Sequence, residues 1–175
     1  MIQLLWINVV TDGIQDFALS FEKAEKNIMK EPPRDPKEPL FDKNLFSSIL
    51  FSGISTGLIV FIVWYYLIKI VAMDISLARG YTMALMVFIQ NIHVFNCRSE
   101  KNSAFSIPLK SNYLIIVAFV VSVLLQVIVM EVPFLSAFLQ TTSVPFNHLI
   151  FLFLTASSVL LLMEIYKIVK YRKNN

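Results

Sequence analysis

The chain has 175 residues, 57% of them hydrophobic and 15% charged, with a mean hydropathy of +0.68. No single soluble core of this length needs so much apolar surface, so the composition describes an integral membrane protein. The charged residues behind the formal net charge of +3 cluster between the apolar runs, which implies no nucleic-acid partner, and the lone Cys97 excludes an internal disulfide and a cysteine-based metal cluster within the chain.

The first apolar segment, residues 2–19, has no basic residues before it and carries Asn8, Thr11, Asp12, Gln15 and Asp16, so it does not read as a cleaved signal peptide. At about 100° per residue, Asn8, Thr11, Asp12 and Gln15 fall within one narrow arc, with Asp16 at its border. A charge at the middle of a bilayer costs at least ~3 kcal/mol, and such residues pair or line an ion path. Carbonyl, hydroxyl and carboxylate oxygens together suit a hard cation such as Ca²⁺, Mg²⁺ or Na⁺ rather than Zn²⁺ or Cu⁺. Gly13 lowers helical preference beside Asp12 and permits local unwinding, which would free backbone carbonyls as further ligands. Asn8 and Thr11 alone would be explained equally by hydrogen bonds to neighbouring helices. Asp12, with no Lys or Arg in the same segment, favours the ion path.

Glu22 and Lys26 are spaced i,i+4 and would carry the first helix into water. Pro32, Pro33, Pro36 and Pro39 then deny helical hydrogen bonds, so residues 31–40 read as a stiff extended strap in a loop spanning 20–44. Residues 45–71, 112–132 and 146–169 are long and apolar enough to span a bilayer. Residues 81–97 are shorter and more polar; like 2–19, they are expected inside the bundle. Trp64, Tyr65 and Tyr66 form an interfacial belt at the end of the second segment. Gln90 and His93, at i and i+3, share a helical face, where His93 reads as an interhelical hydrogen-bonding group. Glu131 sits at a helix end near water, and Glu164 can pair with Lys167 one turn on. Residues 72–80, 98–111 and 133–145 read as connections.

These segments predict one all-α domain, a polytopic transmembrane bundle of five spans; a membrane barrel would show short alternating runs instead. Lys and Arg concentrate in loops 20–44 and 98–111 and in the C-terminal tail, which places those three in the cytoplasm. An odd number of spans then puts Met1 on the far side, directly before a segment with a buried Asp. That is an awkward beginning for an independent protein, and it leads to the expectation that the chain is the end of something larger.

The run Gln3-Leu4-Leu5-Trp6-Ile7-Asn8-Val9-Val10-Thr11-Asp12-Gly13 resembles the sixth membrane helix of type II P-type cation-transporting ATPases, the group of calcium pumps and the sodium/potassium pump. Ile28-Met29-Lys30-Glu31-Pro32-Pro33-Arg34-Asp35-Pro36-Lys37-Glu38-Pro39-Leu40 resembles their loop between helices six and seven, and Phe95-Asn96-Cys97-Arg98-Ser99-Glu100 the end of helix eight. The resemblance implies that Asn8, Thr11 and Asp12 coordinate the transported cation, with Asp12 the essential carboxylate and Gln90 able to complete a second site. That position is Glu in the two-site sarcoplasmic reticulum calcium pump; the amide here is closer to one-site calcium pumps. Gln15 and Asp16 also depart from the usual calcium-pump sequence. Asp16 is a ligand, a proton acceptor or, the favoured reading, a helix-end charge near cytoplasmic water.

The family's Asp-Lys-Thr-Gly-Thr phosphorylation motif and any phosphate-cradling Gly-rich loop are missing from these residues, so this polypeptide alone is expected not to hydrolyse ATP. The resemblance implies Mg²⁺ and ATP for the complete pump, Ca²⁺ as the transported cation, a plasma-membrane location, and as partners the lipid bilayer, the remaining pump helices and a cytoplasmic headpiece. A different class of function also fits: a stand-alone membrane protein that binds or regulates a complete pump.

Overall fold

The computed structural model describes residues 2–24 and 42–171, and every regular element among them is helical. Ile2–Asn8, Val9–Gly13 and Ile14–Leu19 run on without a break as one helix, α1, whose middle section is a wide π-helical turn. Helix α2, Lys43–Ile70, starts where the Asp42 carboxylate accepts from the Leu45 N–H at 2.6 Å, satisfying one of the open donors of its first turn. Helix α3, Ile75–Cys97, is capped in the same way by Asp74, which accepts from Ser76 N–H at 2.8 Å. Asp74 thus starts this helix at Ile75 rather than near Tyr81, and residues 71–74 suffice to turn the chain, with Ala72 at φ 53°.

Helices α4, Tyr113–Glu131, α5, Pro133–Leu139, and α6, Phe146–Tyr171, complete the chain. The expected loop at 133–145 is partly helical because Pro133, whose missing N–H costs nothing at the first helical position, starts α5. Gln140 ends it in the left-handed conformation at φ 50°. Residues 98–112 contain two short 3₁₀ turns, Ala104–Ser106 and Leu109–Ser111. The strap at 31–40, Lys26 and the last four residues of the tail lie outside the described residues.

Among the described residues three helices, Lys43–Ile70, Tyr113–Glu131 and Phe146–Tyr171, are long and apolar enough to cross a membrane. The five long helices run up and down. Glu22–Arg98 and Ser47–Tyr166 contacts gather α1, α2, α3 and α6 at one end, and Gln3–Gln140 and Tyr81–His148 contacts gather α1, α3, α5 and α6 at the other. Exposed Phe46, Leu50, Ile54, Leu58 and Phe61 on α2 would be a liability in water and meet hydrocarbon without cost.

Helix α3 is the centre of the bundle, with Ala78, Ala84, Leu85, Val87, Phe88, Ile89 and Asn91 all shielded. Small residues on facing helices, Ala84 on α3 and Ala156 on α6, let backbones approach closely, and packing of this kind holds membrane helices together where no hydrophobic driving force separates them from lipid. Gly80 illustrates the tightness: a Cβ there would lie 2.5 Å from the Thr142 hydroxyl and 3.1 Å from the Thr142 carbonyl oxygen. Helix α1 lies at the flank instead of inside the bundle. Ile7, Val10, Thr11, Gln15 and Ala18 are buried, whereas Leu4, Leu5, Asn8, Val9, Asp12, Asp16 and Phe17 are exposed. Tyr65 and Tyr66 face outward at the end of α2 while Trp64 packs on the core.

Candidate cation site

Two members of the polar stripe of α1, Thr11 and Asp12, lie in its π-helical turn, Val9–Gly13. A π turn inserted in an α-helix widens the coil and shifts the register of the side chains that follow, a distortion frequent at functional sites. Gly13 keeps helical dihedrals, φ −58° and ψ −41°, so the backbone is widened here rather than unwound as its sequence suggested.

Thr11 is the best-buried member of the stripe, 1% exposed. Its Oγ1 lies 2.7 Å from the Ile7 carbonyl, 2.6 Å from Gln90 Oε1 of α3 and 3.3 Å from Asp12 Oδ1. The hydroxyl has a single proton to donate, so four oxygens meet with fewer hydrogens than they can accept. Such an excess of lone pairs is what a hard cation seeks. Thr11, Asp12, Gln15, Asp16, Gln90 and His93 line a cleft of about 220 Å³ between α1 and α3, closed at its sides by Leu19, Val94 and Cys97. Asn8 is not in its wall: it lies on the exposed side of α1, one turn away. The stripe therefore divides into Thr11 facing the bundle, Asn8 facing away, and Asp12 between them. Among the described residues no three His, Cys, Asp or Glu side chains come together, so the ligand chemistry here is hydroxyl and amide oxygen around a carboxylate.

Gln15, also in the cleft wall, commits its amide nitrogen elsewhere. Its Nε2 donates to Asn91 Oδ1, and Asn91 Nδ2 donates to the Val87 carbonyl and to Ser122 Oγ, each at 2.8 Å. Trp6 Nε1 donates to Gln126 Oε1 at 2.9 Å. These contacts dock α1 onto α3 and α4. Asn91, Ser122 and Gln126 were not singled out in the sequence, although a signal was present: Ser122 and Gln126 are four residues apart and are the polar residues interrupting an otherwise apolar run between Tyr113 and Glu131. His93 makes an interhelical hydrogen bond, Nε2 to Ser52 Oγ at 3.0 Å.

The end of α1 is held by charge. Glu22 forms two 2.9 Å contacts with Arg98, from Nε and Nη2. The expected partner, Lys26, is outside the described residues, and helix α1 stops at Leu19. Burial pushes the Glu22 carboxyl upward, but hydrogen bonds and charge from Arg98, aided by Asn112 and Ser111, outweigh it and hold the group below its ordinary range. Glu164 accepts from the Ala104 N–H at 2.8 Å, and Lys167 donates to the carbonyls of Asn96, Ser99 and Asn102 at 2.8, 2.7 and 3.1 Å. Both are buried and stitch α6 to the loop after α3.

Fold and cleft together describe an all-helical integral membrane protein with an oxygen-rich polar seam. The family model for the C-terminus of cation-transporting ATPases matches residues 1–169. A calcium-transporting ATPase of Bacillus subtilis (strain 168) is 34% identical over 143 residues, covering 82% of this chain and 16% of that protein. The human calcium-transporting ATPase type 2C member 1 is 33% identical over 168 residues, covering 94% of this chain and 18% of that protein. Calcium-transporting ATPase 1 of Bacillus cereus is 29% identical over 184 residues, 97% of this chain and 21% of that protein. The chain belongs to the cation-transporting ATPase C-terminal family, as a C-terminal membrane region of the type II P-type ATPase kind. It spans about a fifth of the length of these relatives.

Proposed function

We propose that this chain is the C-terminal membrane module of an ATP-driven cation pump and supplies part of the intramembrane site for Ca²⁺. The observation that carries the reading is the oxygen cluster that Thr11 and Asp12, on the π-helical turn of α1, form with Gln90 of α3. Ca²⁺ takes six to eight oxygen ligands, more than this cluster offers. Exposed Asn8 and Asp12 then face helices outside these 175 residues, which complete the shell and cover the bare flank of α1. Gln90, an amide, lowers the charge of the site and fits a single Ca²⁺ per cycle. Gln15 supports the site through Asn91 instead of binding the ion, and Asp16 is the helix-end charge of the cleft.

In this reading all five long helices span the bilayer. Helices α1 and α3, less apolar than the others, are shielded by their neighbours and by the remaining pump helices. The end of the bundle carrying Arg98 and Lys167 is cytoplasmic, and Mg²⁺ and ATP act at a headpiece supplied outside these residues.

The test is made on the chain purified from native membranes through a C-terminal tag. It is expected to bring down the ATP-hydrolysing headpiece, in one polypeptide or two, and to form phosphoenzyme from ATP on addition of Ca²⁺. Asp12→Ala abolishes that stimulation. Stimulation that survives the substitution removes Asp12 from the site. Co-purification with a pump that already has its own equivalents of these five helices identifies the chain as a regulator instead.

A further inference from the structure

We propose that a cleft between α2 and α6, at the end of the bundle opposite Arg98, holds one acyl chain of a membrane glycerolipid whose ester carbonyl accepts a hydrogen bond from the Tyr81–His148 pair. The two helices meet at the Arg98 end, where Ser47 Oγ lies 2.8 Å from the Tyr166 hydroxyl. Towards the other end they enclose a space of about 500 Å³, a volume typical of small-molecule sites. Buried Leu67, Tyr81 and Leu152 form its floor, and exposed Ile62, Tyr66 and Phe151 its mouth. None of the described residues lining it is Asp, Glu, Lys or Arg, so the occupant is apolar along its length. The mouth says where it comes from. Leu50, Ile54, Leu58, Ile62 and Tyr66 follow one another at every fourth position of α2 and are all exposed, so the cleft opens on the ridge that meets hydrocarbon. A partner helix would call for small residues that let backbones approach, and the mouth has bulky ones instead.

The wall carries one polar handle. The Tyr81 hydroxyl and His148 Nδ1 lie 2.5 Å apart, and both residues line the cleft. A phenol and a neutral imidazole bring two protons to this pair and their shared contact uses one. If the phenol donates to Nδ1, the Nε2–H is left over; if Nδ1–H donates, the phenol O–H is. Either way a donor stands beside apolar walls, which selects an acceptor at the end of an apolar chain. His148 is in the first turn of α6 and Tyr81 in the second turn of α3, near the ends of membrane helices, where the ester groups of lipids border the hydrocarbon. The end of α2 beside the cleft is irregular in a way that ordinary packing does not require. Tyr66–Ile70 form a π-helical turn, a distortion frequent at functional sites, and Ala72 takes φ 53°, uncommon for a residue with a side chain. Occupancy of this cleft does not depend on the cation site between α1 and α3.

The experiment uses the complete pump containing this chain, reconstituted with phosphatidylcholine that carries a photoactivatable diazirine midway along one ester-linked acyl chain, and maps the cross-linked peptides by mass spectrometry. Labelling of residues 62–71 and 151–155 is expected to saturate at a low fraction of the probe and to exceed that of Phe46 and Leu50, which sit on the open flank of α2. The same lipid with an ether in place of the ester on the labelled chain lacks the carbonyl, and it should label the cleft roughly three- to tenfold less, the effect of losing one hydrogen bond. Thr155→Phe fills the cleft from its wall and should remove most of the labelling there while leaving Phe46 and Leu50 as they were. The ester and ether comparison is made on the unaltered protein, so it stands whether or not that variant folds. Labelling of the cleft that never saturates and only matches the open flank means surrounding lipid alone and overturns the site. Equal labelling by ester and ether lipids, labelling unchanged in monodisperse Thr155→Phe, or cross-links from this wall to a second protein instead of lipid overturns it as well.

Discussion

At the residue scale, two polar side chains of α1 one turn apart have opposite fates. Thr11 faces an oxygen-rich seam where its hydroxyl cannot satisfy every neighbour, whereas Gln15 donates into a chain through Asn91 to Ser122. The first arrangement is suited to receive a cation and the second to hold helices. The distinction predicts a measurable coupling. Gln15→Met leaves Asn91 Oδ1 without this donor, and Asn91→Leu leaves Gln15 Nε2 without its acceptor, so each single change should destabilise the bundle. The double change removes both ends at once. Polar contacts between membrane helices contribute about 0.6 kcal/mol on average and at most ~1.7, so the coupling in a double-mutant cycle should lie between about 0.5 and 1.5 kcal/mol. Thermal unfolding of the four proteins in one detergent measures it, and strict additivity would mean that the two amides do not support one another. Thr11 and Asp12 drew attention in the sequence because oxygen side chains stand out in an apolar run, and Gln90 entered through the family resemblance. Asn8 stands apart from this seam: a 100° wheel makes it a neighbour of Thr11, whereas α1 packs on α3 with Asn8 on its exposed side.

At the scale of elements, capping and proline chemistry explain where the helices depart from an apolar-run reading. Asp42 and Asp74 set the starts of α2 and α3, and Pro133 starts α5 in a segment whose composition says loop. Hydropathy alone misses the first two turns of α3 because Ser76 and Arg79 dilute it, although Asp74 followed by Ile75-Ser76-Leu77-Ala78 is a readable N-terminus. The glycines separate cleanly by surroundings. Gly80 sits where α3 passes the link between α5 and α6, and backbone atoms of Thr142 at 3.1 and 3.3 Å leave a methyl group no room. Gly80→Ala should therefore cost about 1–3 kcal/mol through overpacking, despite the better helix propensity of alanine. Gly57→Ala on α2, where nothing lies within 4 Å, should be neutral or raise stability by up to ~1 kcal/mol. The two unfolding midpoints, compared in the same detergent, check the assignment; equal shifts would show that the α3 crossing is looser than these distances indicate.

At the scale of the whole molecule, the Arg98 end is tied by ionic and polar contacts across helices, while the opposite end relies on neutral and long polar ones such as Tyr81–His148 and Arg79–Gln140 at 3.4 Å. The charge pattern of the loops announced this polarity, but the pairing partners were not readable. Glu22 and Arg98 are brought together by packing of α1 against α3 and α4, including the Asn112 side chain donating to the Ala18 carbonyl at 2.8 Å. The pairing makes stability depend on acid. The Glu22 carboxyl titrates in the folded protein below its ordinary value of 4.5, because Arg98 stabilises the charged form more than burial opposes it. A depressed folded value means a contribution that is fully present above pH 4.5 and is lost as pH falls through the folded value, since acid protonates the unfolded chain first. The melting temperature of the purified protein should thus fall on acidification below about pH 4.5 in the wild type. Glu22→Gln keeps the shape, loses the charge, and should cost about 1–3 kcal/mol at neutral pH while flattening that acid limb. Wild type and variant with parallel acid limbs would place the acid sensitivity in another carboxylate, and a variant as stable as wild type at pH 7 would show that the Glu22–Arg98 pair does not secure this end.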